Sequence, residues 1–350
     1  MLKHLPFFYQ ILKILMTEYQ KLIDELTKNH ILKSDELLQL IECNDAEALD
    51  YLFSKSRQCR ELSYGKDIYI RGLIEISNCC KNDCYYCGIR RSNTNVQRYH
   101  LTTEQIRECC RLGYELGFRT FVLQGGEDLY YDDDKLCLLI SEIKKEFSDC
   151  ALTLSLGEKS RESYQRYYDA GADRYLLRHE TANEVHYGRL HPDEMSVKNR
   201  KQCLYDLKEI GYQVGSGFMV GSPYQTTKLI VEDLLFLKDL QPAMVGIGPF
   251  IPHHETPFAA ETGGTLEQTL TLIALIRLLL PHALIPATTA LGTIASDGRS
   301  RGILAGANVI MPNLSPEDVR QKYMIYDNKL SSGAEAAESL NQLKEEMRKI

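Results

Sequence analysis

Apolar and polar positions along this chain follow two periods that alternate with one another. Short apolar runs at Tyr69–Ile76, Thr120–Leu123, Ala151–Leu156, Arg174–Leu177, Gln213–Val220, Met244–Ile247, Leu284–Ala287 and Asn308–Met311 read as strands. Helix-length segments separate them: Thr102–Leu116, Asp133–Phe147, Glu158–Asp169, Ala182–Ile210, Thr226–Leu240, Thr265–Leu280 and Ile294–Ala305, the fourth expected to break at Pro192. Ahead of the first strand, Thr17-x-x-Gln20 resembles a capping box before Leu22, Ile23 and Leu26 at helical spacing. Two further short helices are expected at about Ser34–Glu42 and Asp45–Gln58. Strands and helices in strict alternation, with no Gly/Ser-rich linker between halves, predict an α/β chain forming a closed or nearly closed (β/α)8 TIM-type barrel. The expected division is a helical extension over residues 1–60, the barrel over 61–328 and a helical tail over 329–350. A doubly wound open sheet is the architectural alternative.

A barrel of this type carries its chemistry on the loops after the strand C-termini. The first of these is Ser77-Asn-Cys-Cys-Lys-Asn-Asp-Cys-Tyr-Tyr-Cys-Gly88, in which Cys80, Cys84 and Cys87 are spaced C-x3-C-x2-C. Thiolates this dense on one loop are soft ligands for a shared metal centre, and three of them can hold three corners of a four-iron four-sulfur cluster, leaving one iron open. Cys79 permits a C-x4-C-x2-C reading from its own position; Cys80 is taken as the ligand because its spacing also sets Tyr86 just before the last cysteine. Structural zinc is the plain alternative, but zinc modules use two separated cysteine pairs or add spaced histidines, and no second C-x2-C occurs here.

With 350 residues, 44% hydrophobic and 25% charged, the chain has an ordinary globular composition, and a net charge of −7 argues against non-specific nucleic-acid binding. Eleven cysteines scattered through apparent helices point to a reducing compartment. The apolar stretch Met1–Leu15 is interrupted by Gln10 and Lys13 and lacks a cleavage site, so Met16 is an alternative start, and no run is long enough to span a membrane.

The other strand ends add polar groups. Gln124-Gly125-Gly126-Glu127 offers close backbone approach beside a carboxylate able to receive a cationic amine, although such a turn alone is common. Thr153 and Ser155 alternate with leucines. Arg174, Leu176, Arg178 and Glu180 fall on one side of their strand, where charges in a barrel mouth do not serve packing. Thr288 and Thr289 end the seventh strand, while His253 and His254 read as solvated loop residues, Arg200 as a surface charge, and Tyr323 as core or rim. Together these groups suit a zwitterionic cofactor beside a polar or anionic small substrate.

The cysteine spacing and the Gly-Gly-Glu turn resemble the radical S-adenosylmethionine (SAM) superfamily. Within it, the stretches Asn82–Asn93, Tyr114–Asp128, Asp173–Glu180, Gly217–Pro223, Met244–His253, Pro286–Thr293 and Met311–Ser315 are similar to the HydE family, maturases of iron-iron hydrogenase. The resemblance implies one 4Fe–4S cluster on Cys80, Cys84 and Cys87, and SAM as cofactor. It places Tyr86, Met244 and Ile247 near the adenine, Gly125, Gly126 and Glu127 at the methionyl amine, and Ser155, Glu180 and Arg200 at ribose and carboxylate. Arg174, Arg178, Thr153, Thr288, Thr289 and Tyr323 would line the substrate cavity.

The implied substrate is a small organometallic iron species carrying carbon monoxide, cyanide and a cysteine-derived ligand. The implied partners are other hydrogenase maturases and an electron donor such as a ferredoxin or flavodoxin, in a reducing, anaerobic cytoplasm. Many relatives carry a second cluster on C-x7-C-x2-C near the C-terminus, but here those positions are Ser331, Ser339 and Gln342, and no cysteine follows Cys203, so a single cluster is expected. The rival readings are a methylornithine synthase-like enzyme, a biotin synthase-like enzyme and a non-catalytic iron-sulfur scaffold. Biotin synthase needs barrel cysteines that Ala151–Leu156 and Gln213–Val220 lack.

Overall fold

The computed structural model describes residues 18–331 and 340–348; the expectations for Met1, Met16, Thr17 and Ser339 lie outside them. Helices at 18–29, Ser34–Ile41 and Ala46–Tyr64 precede the barrel. Asp45 caps the third by accepting from the Ala48 N–H, and Gly65 ends it at φ 66°, a conformation that costs glycine little. These helices pack on the barrel, with Leu37, Leu40, Leu52 and Cys59 joining the core that contains Ile230, Leu234, Ile273 and Ile276. Arg60 adds a bond from its guanidinium to the Ile303 carbonyl at 3.0 Å.

The strands are β1 (Tyr69–Ile70), β2 (Gly72–Ser77), β3 (Thr120–Gly125), β4 (Ala151–Ser155), β5 (Arg174–Leu176), β6 (Gln213–Ser216), β7 (Met219–Val220), β8 (Met244–Val245), β9 (Gly248–Pro249) and β10 (Val309–Ile310). A parallel ladder runs β2-β3-β4-β5-β6-β8. Closure comes through parallel bridges from Met244 to Leu284 and from Pro286 to Val309, then through β10 to β1, which leads back into β2. The expected seventh strand at Leu284–Ala287 is therefore present as bridges and not as a ladder, because Pro286 has no N–H to donate. The ring closes all the same, and the open-sheet alternative fails.

Alternation along the strands sorts the side chains. Phe121, Leu123, Leu152, Leu154, Tyr175 and Val214 pack outward with Ile106, Leu139, Ile140 and Leu204 from the surrounding helices, each contributing about 1.5–3 kcal/mol if fully buried. Their neighbours Leu73, Glu75, Gln124 and Leu176 face the interior cavity.

Three other departures from the expected elements shape the site. The run Gln213–Val220 divides into β6 and β7 at Gly217, where φ is +152° and a Cβ would lie 2.0 Å from the Gly246 carbonyl oxygen. The helix expected from Glu158 begins at Arg161, capped by Ser160, which leaves Glu158 in the preceding loop. The helix expected at Ile294–Ala305 runs Gly298–Leu304, and an unexpected helix, Thr289–Ile294, precedes it, so Thr288 and Thr289 open a helix instead of extending a strand. The break at Pro192 is as expected, with Glu184–Leu190 capped by Asn183 and Val197–Ile210 capped by Ser196.

Candidate active site

The cysteine loop is held by side chains that belong to it. Asp83 accepts from Arg90 Nε at 2.7 Å and pairs with Arg90 Nη2 at 2.7 Å; these contacts, with bonds from Ser92, hold its carboxyl well below the usual carboxylate range. Arg98 donates to four carbonyls of the same loop, those of Asn78, Ile89, Arg90 and Asn93, at 2.5–3.0 Å. Gly88 donates to Ile325 O, and a Cβ there would meet Met324 O at 2.2 Å, so the loop and the segment near Tyr323 are in backbone contact.

Cys80, Cys84 and Cys87 all line one cavity of about 360 Å³ at the mouth of the barrel. Cys79 does not line it; its sulfur lies 3.7 Å from His100 Nε2, so of the two neighbours Cys80 is the one that shares the cavity with Cys84 and Cys87. Among the described residues, the groups of donors lying within 4.8 Å of one another are Cys79–His100–Asp128 and His253–His254–Asp327. The trio Cys80, Cys84 and Cys87 is not one of them; its sulfurs are spread more widely than a lone zinc ion with ~2.3 Å bonds would gather them. Burial raises all three thiols. Cys87 is pushed to about 12 by burial and by Cys80, and Cys84 is raised well above its ordinary value by burial and by Cys87 and Cys80. Such a trio ionises together only around a cationic centre.

Gly126 packs directly beneath this loop. A Cβ would sit 2.2 Å from Cys79 O and 2.7 Å from Cys80 Cβ, so the close approach requires glycine. The next N–H, of Glu127, points to Cys80 Sγ at 3.4 Å. The buried Glu127 carboxylate accepts from the Glu158 N–H at 2.9 Å and pairs with Lys81 at 3.2 Å, and it covers Gly157, which sits at φ +75°. The methionyl-amine position expected of Glu127 is thus adjacent to the cysteines, with its exposed partner Lys81 replaceable.

Arg200, a surface charge by its helical position alone but a cofactor contact by the resemblance, is buried. It is only 7% exposed, it lines the cavity, and its Nε stands 2.7 Å from Glu158 Oε1 without the N–H being aimed at that oxygen. Burial opposes its charge, but Tyr187, Glu158 and Glu127 hold the guanidinium protonated. Arg178 lines the same cavity and donates to Glu180 Oε2 at 2.8 Å, while its Nε has no partner. Glu180 adopts φ +63°, an uncommon conformation for a residue with a side chain, and one that marks a constrained site. Tyr86 also lines the cavity and donates to His191 Nε2 at 3.0 Å; His191 Nδ1, 3.0 Å from Tyr187 O, carries the other ring proton.

Thr288, Thr289, Tyr323, Gly125 and Glu127 are likewise in the lining, and the buried Thr288 hydroxyl has no partner. Other expected residues are elsewhere. Arg174 and Thr153 pair in register nearer the strand N-termini, where Arg174 bonds Gln213 and Thr120 and the Thr153 hydroxyl is buried without a partner. Ser155 stands in register with the lining residue Gln124 but is not itself in the lining. Met244 accepts from Arg71 Nη1 at 2.8 Å, and Ile247 packs outward in the helix-facing core, because the strand presents Gly246 and Gly248 inward. Met244 and Ile247, expected near the adenine, are thus outside the cavity lining, whereas Gly246 and Gly248 are in it.

Lining residues missed in the sequence include Glu75, Phe250, Tyr326 and Lys329. Glu75 is fully buried, with Lys329 Nζ 2.8 Å from one oxygen and Asn313 Nδ2 2.8 Å from the other. A lone carboxylate inside the apolar run Leu73–Ile76 was the available signal.

The superfamily model described as "Radical SAM superfamily" matches residues 74–237. The [FeFe] hydrogenase maturase subunit HydE of Thermotoga maritima is 50% identical over 294 residues, 84% of each chain. The chain belongs to the HydE family of radical SAM enzymes. A 3-methylornithine synthase of Methanosarcina barkeri is 29% identical over 91% of this HydE-family chain and 90% of its own length. The crystal structure of methylornithine synthase (PylB) superposes with a TM-score of 0.84 at 27% identity, covering 93% of this chain and 96% of that one.

Radical SAM proteins use a 4Fe–4S cluster and SAM, and the residues present fit both. The cavity brings together three buried thiols, the Gly126 cradle, the Arg200 guanidinium paired with Glu158, and two residues with polar atoms that make no hydrogen bond, Arg178 Nε and Thr288 Oγ1. Among the described residues, no helix is long and apolar enough to cross a membrane.

Proposed function

We propose that this chain cleaves SAM reductively and directs the product at an organometallic iron substrate, bearing carbon monoxide, cyanide and a cysteine-derived ligand, during assembly of the iron-iron hydrogenase cofactor. The convergence of Cys80, Cys84 and Cys87 with Arg178, Arg200, Thr288 and Tyr323 on one cavity carries this reading, together with 50% identity to a hydrogenase maturase. When bound, the reduced cluster and SAM supply a 5′-deoxyadenosyl radical. The protein's task is to hold, orient and screen.

Gly125 and Gly126 let a bound amino acid approach the cysteine loop, and Glu127 receives its ammonium. Arg200 is held charged for a carboxylate, and Arg178, whose Nε–H makes no hydrogen bond, lines the same cavity. The Thr288 hydroxyl gives an anionic guest a neutral donor, and Tyr323, kept a neutral phenol by burial and by Glu75, gives a second. Partner maturases and a ferredoxin- or flavodoxin-type donor in a reducing cytoplasm complete the proposal.

The test is anaerobic turnover of the reconstituted protein with SAM and dithionite, reading 5′-deoxyadenosine by mass spectrometry. Formation that accelerates with an iron-cyanide-carbonyl-cysteine complex, which is itself altered, supports the assignment. Conversion of lysine to 3-methylornithine instead would assign the rival activity, and intact SAM under reduction would leave a scaffold.

A further inference from the structure

Cys79 is the cysteine of the loop that the cavity leaves out, and its surroundings are those of a metal ligand. His100 Nε2 lies 3.7 Å from Cys79 Sγ, and the other ring nitrogen, Nδ1, lies 2.6 Å from Asp128 Oδ2. With Nδ1–H donating to that carboxylate, Nε2 is the ring nitrogen nearer the sulfur. Metal-binding histidines are oriented by a carboxylate in the same way.

Each member is fixed independently. Asp128 is buried; Ser77 Oγ donates to its Oδ2 at 2.5 Å, and Tyr130 N donates to its Oδ1 at 2.9 Å. The Cys79 N–H donates to the same Ser77 hydroxyl at 3.0 Å, and the His100 ring stacks on Tyr130 with centroids 4.4 Å apart. The three donors lie within 4.8 Å of one another.

We propose that Cys79 and His100 bind one thiophilic divalent cation such as Zn²⁺, with Asp128 orienting the imidazole and the remaining coordination positions open to water. Bonds of ~2.3 Å to sulfur and ~2.0–2.1 Å to nitrogen at a tetrahedral angle set the two donors roughly 3.6 Å apart. The observed 3.7 Å accepts such an ion without rearrangement. Thiolate with imidazole favours borderline and soft ions over magnesium or calcium. With open positions and a half-exposed Cys79, the ion exchanges with solvent, so this is a holding site and not a structural one. The other donor group offers no thiolate, and its buried His253 is occupied at Nδ1, which accepts from Glu255 N.

The test uses the full chain reconstituted anaerobically with its cluster, freed of loose metal, and titrated with Zn²⁺ against a chromophoric chelator and with Co²⁺ by difference spectroscopy. The expected result is one Zn²⁺ per chain beyond the cluster iron and a thiolate-to-Co²⁺ charge-transfer band. Both should be lost in Cys79→Ser and in His100→Gln, while Asp128→Asn weakens affinity roughly 10- to 100-fold. Iron and sulfide are counted in every variant. His100→Gln, which alters no cysteine, keeps the test decisive if Cys79→Ser fails to load its cluster. Binding that is undiminished in His100→Gln, or zinc that enters only as iron leaves, overturns the proposal.

Discussion

Replacing Lys329 by methionine should damage this protein more than any exposed substitution. Lys329 is 8% exposed and Glu75 is fully buried, and their 2.8 Å contact neutralises a carboxylate inside the barrel. Removing one partner of a buried pair costs about 3–5 kcal/mol, because the other charge is left without compensation. Glu75 keeps the Asn313 amide, so the lower figure, about 3 kcal/mol, is the expectation for Lys329→Met. Lys329 also anchors the segment bearing Tyr323, Ile325 and Tyr326, three lining residues, so SAM binding should weaken alongside stability. Anaerobic urea unfolding and equilibrium SAM binding are the assays. The double variant Glu75→Gln/Lys329→Met removes both charges and keeps an acceptor for Asn313, so it should recover most of the loss. A single variant as stable as the parent, or a double variant whose loss equals the sum of the two singles, would refute the reasoning.

Arg98→Met strands four carbonyls of the cysteine loop, and reconstitution under equal conditions should retain less iron per chain than the parent; an undiminished iron count would show that the loop holds its shape without the staple. Gly126→Ala drives a methyl group into Cys79 O and should cost about 1–3 kcal/mol along with cluster loading, read by iron analysis and thermal unfolding. His191 is lowered to about 3 by burial and by Arg200, whereas an unfolded histidine titrates near ~6.5. Below pH ~6.5 the unfolded chain takes up a proton that the folded one refuses, so stability falls as pH drops, by about 2 kcal/mol at pH ~5 from this residue. His191→Gln should flatten that part of the stability profile, and an unchanged slope would rule the residue out as its source.

The barrel was legible because its strands alternate and its helices are amphipathic, two signals that need no tertiary information. The errors fall where one residue overrides the pattern. Pro286 reduces the seventh strand to bridges, Gly217 cuts the sixth, and Ser160 captures the helix start and so releases Glu158 to the site. Lys329 reaches Glu75 across more than two-thirds of the chain length, a partnership that no local period encodes.

Alternation gives the side of a strand and leaves the depth open, which is why Arg174 in β5 and Arg178 just past its end fared differently. Arg174 and Arg178 are four residues apart, roughly 13 Å of extended chain, so one starts the ladder near its N-terminal end and the other reaches the mouth. Arg200 had no strand to place it; its role depends on the break around Pro192, which swings the second helix so that its first turns face the cysteines. The neighbours Cys79 and Cys80 differ for a related reason. After Ser77 the chain leaves the ladder, and the contacts of Gly126 against Cys79 O and Cys80 Cβ fix which thiol enters the cavity and which turns to His100. Spacing alone cannot separate two adjacent cysteines, whereas a glycine across the loop, with no room for a methyl group, does so.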